Sequence, residues 1–556
     1  MVSDTATLPK RRSFIIVLIV FLAIVAAGIA GWNLYKYEFI KGKVKHSVYE
    51  KTNGLYTIRY DTMNLDEASG YLYLSNLQIV PDTAKFMQLV RDKKNPPLLV
   101  SLTIPALKIT GVKTPAALLG KKLNGRKLEI SNASVLFYYA EAHPDTSSDN
   151  IAVKQALYQQ LLGDLKEIQA DTVEVTHVSF AFVNILSNKK IVEGSDISVH
   201  LQDVLIDSLH SNDSSRFFFA KQVQAEGGKA LVKNKAGTYF YTFQGFSFNN
   251  EGGLLSVQSV QIEPQLSEDR FAAFSKFQND RFNVRLQRLS LQQVNLKRLM
   301  LQQIVAERLE IETADCRIYR DRSYPRDQRN RVGQFPQQLL MKMPLTVSIK
   351  KLVVKDAFIE YKEKNPKSDY SGRVQFTHAH AIISNISNDA VQIKSDNHCV
   401  LDFNGQFLDM APAQIRLNMF LNDPRGRFLY SGSMNGFEAG KLNGLIEPMV
   451  LAKIEKGRVN KLNFNFAGHN HGSDGTVTLL YDDLKLTLLK KDSTDGKLEK
   501  KKLASFVANI IVKNANPQRN QPVRVATVHY ERNTNFSFFN LMWKSVFAGV
   551  KQTAGM

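Results

Sequence analysis

The feature that most constrains this chain is a segment written twice. Gly70-Tyr-Leu-Tyr-Leu-Ser-Asn-Leu-Gln-Ile-Val-Pro81 returns 183 residues later as Gly253-Leu-Leu-Ser-Val-Gln-Ser-Val-Gln-Ile-Glu-Pro264. Its surroundings return with it: Ile58, Tyr60, Met63 and Leu65 correspond to Tyr241, Phe243, Phe246 and Phe248. After each proline a short helix is expected, carrying Phe86, Leu89 and Val90 in one copy and Phe271, Phe274 and Phe277 in the other. Leu107–Val112 then matches Leu289–Val294, Leu128–Ala133 matches Leu309–Ala314, and Gln159–Leu162 matches Gln337–Leu340 at an offset of 178. Two copies of about 180 residues follow, and both are written in the period-two alternation of β-strands.

Inside each copy a shorter unit repeats. Leu128/Ile130, Val173/Val175, Leu309/Ile311 and Leu352/Val354 open it; after a turn-prone patch, Val135/Phe137, Phe180/Phe182, Cys316/Ile318 and Ile359/Tyr361 continue it. Such a unit reads as a hairpin or as a strand that switches partners. It leaves one wide apolar face that a single unit cannot bury, so neighbouring units must stack and extend the sheet. The candidate apolar floor is therefore Leu128, Ile130, Val135, Phe137, Val173, Val175, Phe180, Phe182, Leu309, Ile311, Ile318, Leu352, Val354, Ile359 and Tyr361. Periodicity does not distinguish a filled core from an open groove. A helix is expected near 152–168, with Leu157, Leu161, Leu165 and Ile168 on one stripe.

The N-terminus carries a different signal. Lys10, Arg11 and Arg12 precede the apolar run Phe14 to Ala30, long enough with its flanks to cross a bilayer as a helix. Trp32 and Tyr35 fall where an interfacial aromatic belt would lie. An uncleaved anchor over 13–35 is the expectation, with a cleaved signal sequence or a buried helix as alternatives. Lys36, Lys41, Lys43 and Lys45 offset the basic N-terminus, so orientation follows from bulk: residues 1–12 stay cytoplasmic and the remainder lies outside. The expected location is the inner membrane, single-pass, with the bulk in the periplasm.

From about 400 the pattern changes but stays β: 414–420, 427–432, 459–468 and 476–489 alternate, separated by turns. Residues 442–448 read as a short helix or turn, and the lysine-rich stretch 490–502 as a solvated loop. Phe539, Met542, Trp543 and Val546 mark a terminal helix, either closing the open end of the sheet or lying at a membrane interface through Trp543.

The formal charge of +20, from 72 Lys+Arg against 52 Asp+Glu, predicts attraction to phosphate-rich partners or anionic lipid. An anchor and the lack of a compact recognition module argue against nucleic acid. Two cysteines, Cys316 and Cys399, supply no disulfide framework and no thiolate zinc site; buried free thiols are the preferred reading, with a single bridge as the alternative. His469 and His471 beside Asp474, and His378 with His380, lack the spacing of a metal or hydrolytic centre. No phosphate-cradling glycine loop or nucleophile elbow occurs. No catalytic residue, metal or cofactor is expected, and the chain does not read as an enzyme.

The order of these pieces resembles the AsmA-like proteins of Gram-negative envelopes, a group that extends to TamB-like and bridge-like lipid-transfer proteins. The resemblance is carried by the N-terminal anchor running into Leu55–Pro81 and by the repeated Leu-x-Ile-x-x-Ala strand pairs. It is carried also by the C-terminal run Gly440–Pro448, Ile454–Val459, Phe464–Gly468 and Gly475–Leu489. It implies a mainly β fold: an N-terminal transmembrane helix, then an elongated, curved, repetitive antiparallel sheet forming a taco-shaped groove, with a few short helices. It implies phospholipid as partner, acyl chains on the apolar floor, and a part in lipid transport or outer-membrane homeostasis. A scaffold for other envelope proteins is the alternative. The expected layout is a tail (1–12), anchor (13–35), first β-copy (50–235) and second β-copy (236–400). An AsmA-like β-region (401–490) and a terminal part with loop, strands and helix (491–556) complete it.

Overall fold

The computed structural model describes residues 52–66, 68–96, 98–112, 122–140, 166–207, 213, 215–217, 219–301, 303–491, 498–500 and 512–555. The chain forms two compact units. One runs up to Val260 and includes Leu291–Gln303; the other comprises Gln261–Ser290 and everything from Ile304 onward.

The first unit holds β1 (Tyr56–Arg59), β2 (Thr62–Asp66), β3 (Tyr71–Pro81), α1 (Thr83–Arg91), β4 (Leu99–Thr110), β5 (Lys122–Ser131) and β6 (Ser134–Tyr139). It continues with β7 (Glu167–Asn184), β8 (Lys189–Asp207), β9 (Ala220–Lys233) and β10 (Tyr239–Asn249). β1 and β2 both pair antiparallel with β3, and β3 with β4. β5 and β6 follow one another between β4, to which they are antiparallel, and β7, to which they are parallel. β7 to β10 then pair antiparallel in sequence order. β11 (Leu254–Pro264), α2 (Glu268–Ser275), β12 (Arg281–Gln292) and α3 (Leu296–Met300) take the chain out of this unit and back.

The second unit continues with β13 (Gln303–Asp321), α4 (Pro336–Met341), β14 (Thr346–Lys364), β15 (Ser371–Ser387), α5 (Ala390–Ser395), β16 (His398–Phe407), β17 (Ala411–Phe420) and β18 (Phe428–Glu438). After α6 (Asn443–Val450) come β19 (Ala452–His469), β20 (Gly472–Lys491), β21 (Leu498–Lys500), β22 (Ala526–Glu531) and α7 (Phe538–Ala554). β14 to β20 pair antiparallel in sequence order, and β22 adds to β20. Lys355 reaches Glu312 and Arg322 reaches Glu363, separations of 43 and 41 residues. A nearly constant separation requires β13 to run beside β14 in the same direction, because antiparallel neighbours would change it by two per residue.

Several expectations are corrected. The sheet is mixed, not uniformly antiparallel, because β5 and β6 run parallel to β7. The anchor over 13–35, with Trp32 and Tyr35, lies outside the described residues. Among the described residues no helix is long and apolar enough to cross a membrane. The transmembrane helix, the membrane assignment and the single-pass inner-membrane location with a periplasmic bulk are accordingly withdrawn. The repeating unit is neither a hairpin nor a partner switch: Val173/Val175 and Phe180/Phe182 lie on one 18-residue strand, and Leu352/Val354 and Ile359/Tyr361 on one of 19. What separates them is a bulge, with register shifts at Val175/Val178 and Val354/Ala357. A bulge inserts one residue, so the inward-facing positions change parity while the chain runs on. Most of the helix expected at 152–168 lies outside the described residues, and Glu167 and Ile168 begin β7.

The two copies share backbone detail. Gly70 has φ +65° and Gly253 φ +55°; a Cβ on either would strike the carbonyl oxygen of Val112 (2.6 Å) or Val294 (2.9 Å). Those same valines donate their N–H to the glycine carbonyls at 3.1 and 2.9 Å. Both positions need a residue without a Cβ. Gly111 and Gln293, the residues before these valines, are both left-handed. The helices after each proline are capped alike, by the side chains of Asp82 and Ser267.

Candidate functional site

The floor residues of the first unit come together as a packed core. Leu128 and Ile130 lie directly beside Val173 and Val175, and Val135 and Phe137 beside Phe180 and Phe182. Phe137 stacks on Phe182 at 4.6 Å. Leu128 is half-buried, and the other seven belong to one cluster of 29 buried apolar residues. Leu296, Leu299 and Met300 of α3 pack against that cluster. The first unit therefore uses its apolar face as a core.

The corresponding face of the second unit is different. Of Leu309, Ile311, Ile318, Leu352, Val354, Ile359 and Tyr361, only Ile311 is buried. The local cluster consists of Ile311, Ala314, Ala357 and Ala379, edged by half-buried Leu286, Leu289, Cys316, Val354, Ile359 and Phe403. Val178, one of the buried core residues of the first unit, stands after the β7 bulge as Ala357 stands after that of β14. At that position the second unit carries the smaller side chain, and the larger residues around it stay partly in water, where each forgoes part of the roughly 25 cal/mol per Å² that burial contributes.

Both strands grade from apolar to charged along this face. On β13, Ala314, Cys316 and Ile318 lead to Arg320; on β14, Ala357 and Ile359 lead to Tyr361 and Glu363. Arg320 is held by Asp280 through two 2.7 Å bonds. Tyr361 donates its hydroxyl to Glu363 at 2.8 Å, and Arg322 donates to the other oxygen of Glu363 at 3.1 Å. Burial raises the Tyr361 phenol, so it stays protonated and donates.

α7 lies against β20 and β22 and buries Phe538, Leu541 and Val546 among Phe428, Tyr430 and Phe466. It packs on the last strands of the sheet. Tyr430 donates to the Met542 carbonyl, and Ser545 meets Ser473 at 2.6 Å. Its other side carries Phe539 (69% exposed), Trp543 (48% exposed) and Phe547, with the Trp543 and Phe547 rings stacked at 5.8 Å. No sequence signal marked Phe539 and Phe547 as a stripe distinct from the buried one. Only the i, i+4 spacing of Phe539, Trp543 and Phe547 could have shown it.

A cleft of about 440 Å³ lies at β12–β15, lined by Arg281, Arg317, Ile318, Tyr319, Glu360 and Lys362, among others. Its charges are largely committed: Lys362 pairs with Glu268 at 2.8 Å and Arg317 with Asp315 at 2.8 Å. Both cysteines are free, correcting the bridge alternative, and burial pushes the Cys399 thiol up to about 11, which keeps it protonated and unreactive at neutral pH. His177–Asp196, His378–Asp356 and His529–Asp474 are exposed pairs at 2.7, 3.9 and 2.5 Å. Among the described residues no three His, Cys, Asp or Glu side chains are grouped to hold a metal ion.

No known family matches this chain, and no curated protein matches its sequence.

Proposed function

We propose that this chain is a non-enzymatic protein that binds lipid acyl chains on the half-buried apolar face of β13–β16, with β12 at its edge. One observation carries the reading: the strand pair that forms a closed core in the first unit remains partly uncovered in the second, around a centre of alanines. An acyl chain there contributes about 0.8 kcal/mol per methylene removed from water, and it needs no directed polar contact in the middle of the face. This is the behaviour that the resemblance to AsmA-like proteins implies, and a role in lipid transport would follow from it.

The test is direct. The full chain, purified without detergent, is extracted and its lipids measured by mass spectrometry beside the variants Ile359→Asp and Val354→Asp. Retention of phospholipid by the parent chain and its loss in both variants is the expected result. No bound lipid in the parent, with no transfer of fluorescent phospholipid between vesicles, overturns the proposal. A photo-crosslinker at Ile359 that captures one protein and no lipid favours a scaffold instead.

A further inference from the structure

We propose that the cleft at β12–β15 binds a phosphate monoester group through Arg281, Tyr319 and Arg373. The proposal goes beyond the acyl-binding reading and stands on other side chains than that reading does.

A row of side chains that takes one residue from each of four strands lines this cleft. Arg320 bonds Asp280 and Thr313 bonds Gln287, a single antiparallel register between β13 and β12 that sets Arg281 opposite Tyr319. The Lys362 ammonium lies 5.4 Å from the centre of the Tyr319 ring, and Lys362 stands directly opposite Arg373 on β15. All four residues line the cleft. The row therefore reads cation, phenol, cation, cation.

Like charges directly opposite on neighbouring strands repel, so an anion bound at Lys362 and Arg373 relieves a repulsion built into the sheet. The acids nearby are already in use. Glu268 of α2 accepts from Lys362 at 2.8 Å. Asp315 holds Arg317 through two bonds of 2.8 and 2.9 Å, and Glu360 accepts from Gln375 at 2.6 Å. Two cations of the row are left without an acid. Arg281 is anchored through its Nε, which donates to the Leu266 carbonyl at 3.0 Å, and its terminal nitrogens form no ion pair among the described residues. Arg373, at the cleft, makes neither a hydrogen bond nor an ion pair among the described residues.

Tyr319 supplies the third donor. Its side chain is 5% exposed, yet its hydroxyl has no hydrogen-bond partner among the described residues. Burial, with the charges of Asp321, Glu268 and Asp269 adding to it, raises the phenol, so it keeps its proton and donates. Two guanidinium groups and a phenol on one cleft call for a negative acceptor with several oxygens. A phosphate suits them better than a single carboxylate, because its three terminal oxygens can accept from two arginine forks and a hydroxyl together. The cleft of about 440 Å³ is larger than one phosphate, and Asn283, Ser371 and Glu360 line the rest of it, so the group carried by the ester is itself polar.

The experiment titrates the full chain with glycerol 3-phosphate, with glycerol, and with dioleoylphosphatidylcholine vesicles containing dioleoylphosphatidic acid, all at one ionic strength. Glycerol 3-phosphate is expected to bind and glycerol is not. Arg373→Gln should weaken binding about tenfold, and Tyr319→Phe, which keeps the ring under Lys362, about fivefold, as for hydrogen bonds to a charged group. Both variants should unfold at the parent's temperature. Arg270→Gln, at an exposed position of α2 away from the cleft lining, removes the same charge and should leave the affinity unchanged. Binding to the vesicles that both cleft variants weaken, without binding of the soluble ester, keeps the phosphate site and assigns it to a lipid headgroup. Binding of neither ligand, affinity that both cleft variants leave intact, or an equal loss in Arg373→Gln and Arg270→Gln overturns the proposal.

Discussion

β7 of the first unit and β14 of the second are built alike and used differently. Each carries an apolar pair, a bulge and a second apolar pair, and each lies parallel to the strand before it. In β7 the four residues Val173, Val175, Phe180 and Phe182 are all buried, whereas in β14 Leu352, Val354, Ile359 and Tyr361 are all half-buried. The strand pattern therefore specifies an apolar face without specifying whether that face is closed. Closure comes from what is laid over it and from the size of the residue at its centre.

The comparison breaks most readily at Phe137. Its removal by Phe137→Ala should cost about 3–5 kcal/mol, against about 1 kcal/mol for Ile359→Ala, because only the first is fully enclosed. Denaturant unfolding with each unit followed by hydrogen exchange checks this. Equal costs would mean that the second face is as closed as the first.

The second unit should draw its stability from beneath α7. Arg532 is buried over the Phe335 ring at 4.5 Å and donates to the carbonyls of Asn470 and Phe536 at 2.7 and 2.6 Å. Burial and the Arg331 charge push its pKa down to about 10. Arg532→Met, which leaves those carbonyls unpaired, should cost about 1–3 kcal/mol and loosen α7 before it loosens β13 and β14. Exchange rates across the two segments report the order.

A smaller effect sharpens the contrast at the centre of the face. Ala357→Val gives β14 the residue type that β7 carries at Val178. Stability should change by less than about 1.5 kcal/mol, in the range of modest repacking, while retained lipid falls. A drop in stability with lipid unchanged would separate the small centre from the binding proposal.

The smallest prediction concerns the exposed pair on β20 and β22. The hydrogen bond that the His529 ring donates to Asp474 raises the His529 pKa above its ordinary 6.5. A raised histidine pKa adds stability that is fully present below the unfolded value and is lost as pH rises through the folded one. Asp474→Asn should return the His529 titration, read by NMR, toward 6.5. An unmoved midpoint would show that the pair does not form in solution.

Much of the fold was legible. Period-two alternation located the strands, and the pairing of Leu128 with Val173 and of Val135 with Phe180 joins segments that the repeat had set side by side. The bulges were misread because a change of parity between Val175 and Val178 looks the same in one dimension whether the chain turns or inserts a residue. Parallel pairing was missed because alternation carries no strand direction. In the candidate site, Ile318, Ile359 and Tyr361 were visible as members of a floor. Its charged end was not, since Arg320 is fixed there by Asp280, 40 residues away in the chain.

By itself the sequence determined that the chain is mostly β, that it repeats, and which side chains share a face, because these follow from local alternation and from residues such as Gly70 and Gly253 whose backbone tolerates no Cβ. Only the tertiary structure decided which face became a core and where its charged end lies. Burial depends on atoms brought from distant elements: α3 packs onto the first unit's core, while α7 covers the C-terminal strands of the second unit.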